Sequence, residues 1–142
     1  MMSRVEASSA NVVLRGETHV MFLRTRNLPQ DIGRGWARLE ELVGTRGRKF
    51  YGALDLPTGE YRVCVELRAN DDPVALGLEA GILPGGRYLR ATLVGEPPAI
   101  YDRIGPAFNQ LERVVSPDPT RPEIEFYRKR DEIDLLLPIA EQ

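Results

Sequence analysis

Two stretches of the chain carry apolar residues at helical spacing. Ile32, Trp36, Leu39 and Val43 form one set, and Ile104, Phe108, Leu111 and Val115 form the other. Each set lines one side of a helix, with polar residues filling the rest of the surface. Breakers bracket both. Pro29 and the Pro97-Pro98 pair stand ahead of them, where proline suits a helix start. Gly44 and the run Ser116-Pro-Asp-Pro119 follow them as stop signals. Strand-like runs surround the helices. His19–Arg26 precedes the first and Arg87–Val94 the second. After the first helix, Lys49–Asp55 and Tyr61–Ala69 read as a hairpin across Leu56-Pro-Thr-Gly-Glu60. After the second, Glu123–Arg128 and Ile133–Ile139 pair across Lys129–Glu132. Arg4–Ala7 and Val12–Arg15 add short strand candidates at the N-terminus.

The pattern repeats. Residues 32–43 align without gaps on residues 104–115, with Ile, Gly, Leu, Glu and Val recurring and Trp36 opposite Phe108. Each helix is followed by a Phe-Tyr pair, Phe50-Tyr51 and Phe126-Tyr127, at the start of its hairpin. A shared period of this kind points to duplication. The expected fold is α+β: a duplicated β-α-β-β unit forming a curved antiparallel sheet of six to eight strands with two main helices, pseudo-two-fold symmetric. Residues 1–142 form a single domain, with repeat one at about 19–69 and repeat two at about 87–139, joined through Asp71–Gly86. Trp36 is then equivalent to Phe108, and Tyr51 to Tyr127.

Composition narrows the function. Hydrophobic residues make up 42% of 142, enough for a packed core, and the net charge of −2 comes from 19 basic and 21 acidic side chains. These are interspersed rather than gathered into a basic face, so no nucleic-acid partner is expected. Arg46-Gly-Arg48-Lys49 is a short solvated loop. Cys64 is the only cysteine and sits in a strand-like run, which excludes an internal disulfide and suits a reducing compartment. With His19 as the only histidine, no zinc site, no other metal and no cofactor is implied. No apolar run approaches the roughly 20 residues of a membrane span, and the N-terminus lacks a signal-peptide core. The expected location is cytoplasmic, with no membrane partner.

Four local patterns, taken in order, resemble the GyrI-like domains, which also serve as effector-binding domains of MerR- and AraC-type multidrug regulators. They are Trp36-Ala-Arg-Leu39; Tyr51-Gly-Ala-Leu-Asp-Leu-Pro57 leading to Tyr61-Arg-Val; Ile82-Leu-Pro-Gly-Gly-Arg-Tyr88 with Gly95; and Glu125-Phe-Tyr127 followed by Ile133–Ile139. The resemblance spans about residues 19–139. It implies a cleft between the two helices that takes bulky, flat, often cationic compounds between aromatic walls, around the acidic residue of a Glu-x-Tyr strand, here Glu125. Only 18 residues precede the first core strand, too few for the helix-turn-helix of the regulators, so a stand-alone form is expected.

The resemblance thus makes Glu125, Tyr127, Trp36, Tyr51 and Phe108 the candidate ligand-binding residues. Glu123, Glu125 and Tyr127 share one strand face, and periodicity alone favours Glu123 and Glu125 facing water. Trp36 and Phe108 could equally be plain core, and Tyr88 and Tyr101 suit a surface or hinge role. The expected function is a stand-alone sensor or sequestering protein that binds a small-molecule ligand. Two alternatives stay open. One is a cofactor-independent hydrolase of electrophilic, cyclopropane-bearing aromatic compounds, with Glu125 as the catalytic general base. The other is an inhibitor acting on an unidentified protein partner.

Overall fold

The structure is a computed structural model and describes residues 5–140. In chain order the elements are β1 (Glu6–Ala7), β2 (Asn11–Arg15), β3 (Thr18–Arg26), α1 (Pro29–Val43), β4 (Phe50–Leu54), β5 (Glu60–Glu66), α2 (Pro73–Leu76), β6 (Glu79–Leu83), β7 (Gly86–Val94), α3 (Ala99–Asp102), α4 (Ile104–Val114), β8 (Glu123–Lys129) and β9 (Glu132–Pro138). The nine strands form one antiparallel sheet in the order β1-β7-β9-β8-β4-β5-β3-β6, with β2 also paired to β7. Read outward from the β4–β8 pairing, both directions repeat one scheme: β4-β5-β3 on one side and β8-β9-β7 on the other.

Short links curl this sheet. Arg15 pairs with Gly86, and three residues on, in phase, Thr18 pairs with Leu83. β2 and β3 are therefore one long strand bent at Gly16-Glu17, and β6 and β7 are another bent at Pro84-Gly85. The bends touch. A Cβ on Gly85 would lie 2.8 Å from the Arg15 carbonyl oxygen and 2.9 Å from the Glu17 nitrogen, so this crossing needs glycine.

Both long helices lie on one face. α1 packs Leu39, Ile32, Leu42 and Val43 on Met21, Val63 and Val65. α4 packs Ala107, Phe108 and Leu111 on Leu89, Ala91, Leu93, Ile133, Leu135 and Leu137. Phe50 belongs to the α1 cluster and Tyr127 to the α4 cluster, and the two are direct cross-strand partners, which places both clusters on the same side. Each half buries its own helix stripe; a fully buried leucine such as Leu39 contributes about 1.5–3 kcal/mol. α1 starts on Pro29 with no side-chain cap on Leu28, and it ends at Gly44, whose φ of 73° is the left-handed value glycine tolerates.

Gly35 lets α1 sit close to the sheet. A Cβ there would come 2.6 Å from Thr25 Cγ2 and 3.3 Å from Val63 Cγ2. Gly35→Ala is expected to lower stability by about 1–3 kcal/mol despite alanine's better helix propensity. A denaturant midpoint equal to or above wild type would show that α1 can lift freely.

The opposite face closes over a second apolar cluster, with Val20, Phe22, Tyr51, Ala53, Cys64, Leu83, Tyr88, Ile124 and Leu136 buried. Tyr51 and Phe126 stack at 4.7 Å between centroids, and Arg15, Arg24 and Arg62 lie over the rims of Phe126 and Phe22. Tyr88, expected at the surface or a hinge, is fully buried here, and its hydroxyl donates to the Pro84 carbonyl. Cys64 is buried, which pushes its thiol up to about 12, so it is an inert packed group.

The sheet has nine strands where six to eight were expected. The additional strand is β6, inside the 71–86 stretch read as a connection. That stretch also forms α2, and a separate short helix, α3, follows the Pro97-Pro98 pair ahead of α4. The expected first strand is reduced to Glu6–Ala7; Val5 lies outside it, and Arg4 lies outside the described residues. Among the described residues no helix is long and apolar enough to cross a membrane.

Candidate functional site

α1 rests on β3 and β5, and α4 on β7 and β9. The paired central strands β4 and β8 thus form the floor between the helices. Alternation on β8 sends Glu123, Glu125 and Tyr127 to the helix side, and on β4 it sends Phe50, Gly52 and Leu54 there.

Glu125 stands at the centre. It is 8% exposed, and its Oε1 accepts hydrogen bonds from the Tyr61 hydroxyl at 2.7 Å and the Tyr127 hydroxyl at 2.5 Å. Among the described residues it has no cationic partner. Burial raises its pKa, opposed by the two tyrosine hydrogen bonds. Both phenols are raised well above their usual value, first by burial and then by the neighbouring carboxylate, so they remain neutral donors. Gly52 is the direct partner of Glu125 across the strands. A Cβ on it would sit 1.9 Å from the Tyr61 hydroxyl, so the missing side chain is the space that the phenol occupies.

Trp36 supplies the wall from α1. Its ring meets Tyr127 edge-on at 5.2 Å and Phe50 at 6.0 Å, and it remains half-buried. Tyr101 of α3 is about half exposed and lies near enough to act electrostatically on the Tyr127 phenol.

Glu123, one pleat along β8, is 4% exposed, and its Oε2 has no hydrogen-bond partner. Burial raises its pKa to about 7, with Glu112 of α4 and Glu125 adding to the rise. Because the folded value lies above the ordinary 4.5, the protonated form favours the fold. That contribution is fully present below about pH 4.5 and is lost as pH rises through about 7. Denaturation at pH 5 and pH 8 should show wild type losing on the order of 1–3 kcal/mol that Glu123→Gln does not lose. Parallel pH profiles for the two proteins would remove Glu123 as the source.

Of the five residues singled out in the sequence, the structure brings together Glu125, Tyr127 and Trp36. It does not bring in Tyr51. Strand alternation puts Tyr51 with Phe126 on the opposite face, where its hydroxyl donates to Glu66 at 3.3 Å. The expected match of Tyr51 to Tyr127 therefore fails: Phe50, not Tyr51, shares the face of Tyr127. Phe108 is 5% exposed and packed in the α4 core. Tyr61, Gly52 and Phe50 complete the site, and Glu123 lies buried one pleat along the same face of β8. Tyr61 carried a readable signal, since it alternates in phase with Val63 and Val65, whereas the role of Gly52 depends on a cross-strand register that local sequence does not encode. A groove of about 650 Å³ lies elsewhere, lined by residues including Arg24, Leu28, Thr58 and Glu60. Arg24 is paired there with Glu60 and Glu79, so that groove offers no uncompensated charge.

No family model matches the chain, and no curated protein matches it. Solved structures do. An integron cassette protein from the mobile metagenome of Vibrio cholerae is 17% identical, with a TM-score of 0.74 over 96% of this chain and 99% of that one. A protein solved with tetraphenylphosphonium bound is 11% identical, with a TM-score of 0.66 over 94% of each chain. A hydrolase from Listeria innocua is 10% identical, with a TM-score of 0.56 over 92% of this chain and 91% of that one. At these identities the likeness is one of fold.

Proposed function

We propose that the chain is a GyrI-like binding module that takes bulky, flat, aromatic cations in the cleft floored by β4 and β8, as a sensor or sequestering protein. One observation carries this reading: a buried carboxylate, Glu125, whose protein partners are two neutral phenols and whose surroundings are aromatic. A carboxylate so placed has paid its desolvation without a counter-charge. A ligand cation gains roughly 4 kcal/mol of raw Coulomb energy at about 4 Å and an effective dielectric near 20. An aromatic face such as Trp36 adds about 0.5–2 kcal/mol. These terms select charge and flatness without a strict shape, which suits a permissive site. A structural neighbour was solved with a bulky lipophilic cation, so tetraphenylphosphonium is the first probe. Calorimetric titration should give saturable binding that weakens about 5- to 30-fold in Trp36→Ala, the equivalent of about 1–2 kcal/mol. No heat and no thermal shift at millimolar cation would sink the reading.

A second reading, hydrolysis of an electrophilic aromatic compound with Glu125 as general base, draws on the raised pKa of that carboxylate and on the hydrolase among the structural neighbours. Mass spectrometry separates the two: an electrophile that gains one water only in the presence of protein indicates turnover, and an unchanged mass indicates binding.

A further inference from the structure

Glu123 is a second sealed carboxylate on the same face of β8, and nothing in the binding scheme uses it. It is 4% exposed, and Oε2 is closed off from solvent with no hydrogen-bond partner. The charges that act on it, from Glu112 of α4 and Glu125 of its own strand, are both negative. On β4 its direct partner is the apolar Leu54. Glu123 and Glu125 are two residues apart on one strand, so they face the same way with Cα atoms about 6.5–7 Å apart. A monocation seated on Glu125 leaves Glu123 uncompensated. Among the described residues no three of His, Cys, Asp or Glu are grouped to hold a metal ion, which turns attention from one doubly charged ion to two separated positive centres.

We propose that the cleft is built for flat organic dications with positive centres about one pleat, roughly 7 Å, apart. Glu125, held by Tyr61 and Tyr127, takes one centre, and Glu123 takes the other through its unpartnered Oε2. Trp36 covers the aromatic body between them. This rests on the cation-binding reading and adds to it a ligand class and a second anchoring residue. The energetic reason is the asymmetry of buried charge: supplying the absent partner removes a penalty already present in the empty protein, so the second contact adds affinity at small further desolvation cost.

The test uses two probes of nearly the same shape: methyl viologen, a flat bipyridinium with two positive nitrogens, and N-methyl-4-phenylpyridinium, which keeps the outline and one charge. Each is titrated calorimetrically at pH 8 into the full chain and into its Glu123→Gln and Glu125→Gln variants, with thermal melts confirming that all three are folded. Wild type should bind methyl viologen at least about 10-fold more tightly than the monocation. Glu123→Gln should bring that ratio close to one while leaving monocation affinity within about threefold, and Glu125→Gln should weaken both probes. Lowering the pH to 5.5 should shrink the wild-type ratio and leave that of Glu123→Gln unchanged. A wild-type ratio near one, or a ratio that survives Glu123→Gln, overturns the dication proposal while monocation binding leaves the parent reading standing. Failure of wild type to bind either probe overturns both.

Discussion

Glu125→Gln is expected to weaken binding of a bulky aromatic monocation such as tetraphenylphosphonium by about 1–3 kcal/mol, roughly 5- to 150-fold, without unfolding the protein. The side chains are nearly isosteric. The glutamine carbonyl oxygen can still accept from both Tyr61 and Tyr127, the two contacts made by Oε1. What disappears is a negative charge buried with only neutral partners. The empty protein should therefore melt at the same temperature or higher, while affinity falls; opposite movement of the two quantities is the signature. In wild type, affinity should also rise with pH, because burial lifts the Glu125 pKa and the ionised form is the one that attracts a cation. Glu125→Gln should be nearly flat over the same range. Equal affinity in the variant and wild type, by calorimetric titration, would reduce Glu125 to a buried structural residue.

The elements were legible because their signals are local. Helix stripes at Ile32–Val43 and Ile104–Val115, with proline before and glycine or proline after, need no knowledge of partners; the long helices observed are Pro29–Val43 and Ile104–Val114. The hairpins are local too. Register is not. Matching Phe50-Tyr51 to Phe126-Tyr127 as pairs made Tyr51 a site residue, yet the observed pairing sets Phe50 against Tyr127 and Tyr51 against Phe126. A shift of one residue reverses every side chain on a strand, so a correct strand assignment still sent an aromatic ring to the wrong side. β6 was missed for a related reason: Glu79–Leu83 is a short edge strand with little apolar alternation, and it pairs only because the bend at Pro84-Gly85 carries the β7 ladder on against β3. Phe108 shows the limit of stripe reading. A position in a helical stripe can face a core or a cleft, and the packing of α4 on β7 and β9 decides for the core.

Gly52→Ala is expected to be the most damaging small substitution in the site, although it adds one methyl group. The new Cβ would sit 1.9 Å from the Tyr61 hydroxyl, 2.7 Å from Tyr61 Cζ and 2.7 Å from Glu125 Oε1. Tyr61 cannot easily yield. It is 4% exposed and packed in the α1 core with Val63, Val65 and Leu39. If its ring moves, Glu125 loses one of its two donors inside a dry site. If the strand moves, the β4–β8 pairing that forms the cleft floor opens. Overpacking of this kind costs about 1–3 kcal/mol, and loss of a hydrogen bond to a buried charged group adds about 1–3 kcal/mol. The expected destabilisation is therefore about 2–6 kcal/mol, with cation binding lost or greatly weakened. Tyr61→Phe alone, which removes the donor and leaves room, should cost only about 1–2 kcal/mol. Because the clash is with the hydroxyl first, the double variant Gly52→Ala/Tyr61→Phe should be clearly more stable than the sum of the single costs predicts. The coupling expected is about 1–2 kcal/mol, within the range for residues in direct contact. Chemical denaturation of the four proteins measures that coupling, and strictly additive costs would mean that Gly52 is glycine for some reason other than making room for the phenol that holds Glu125.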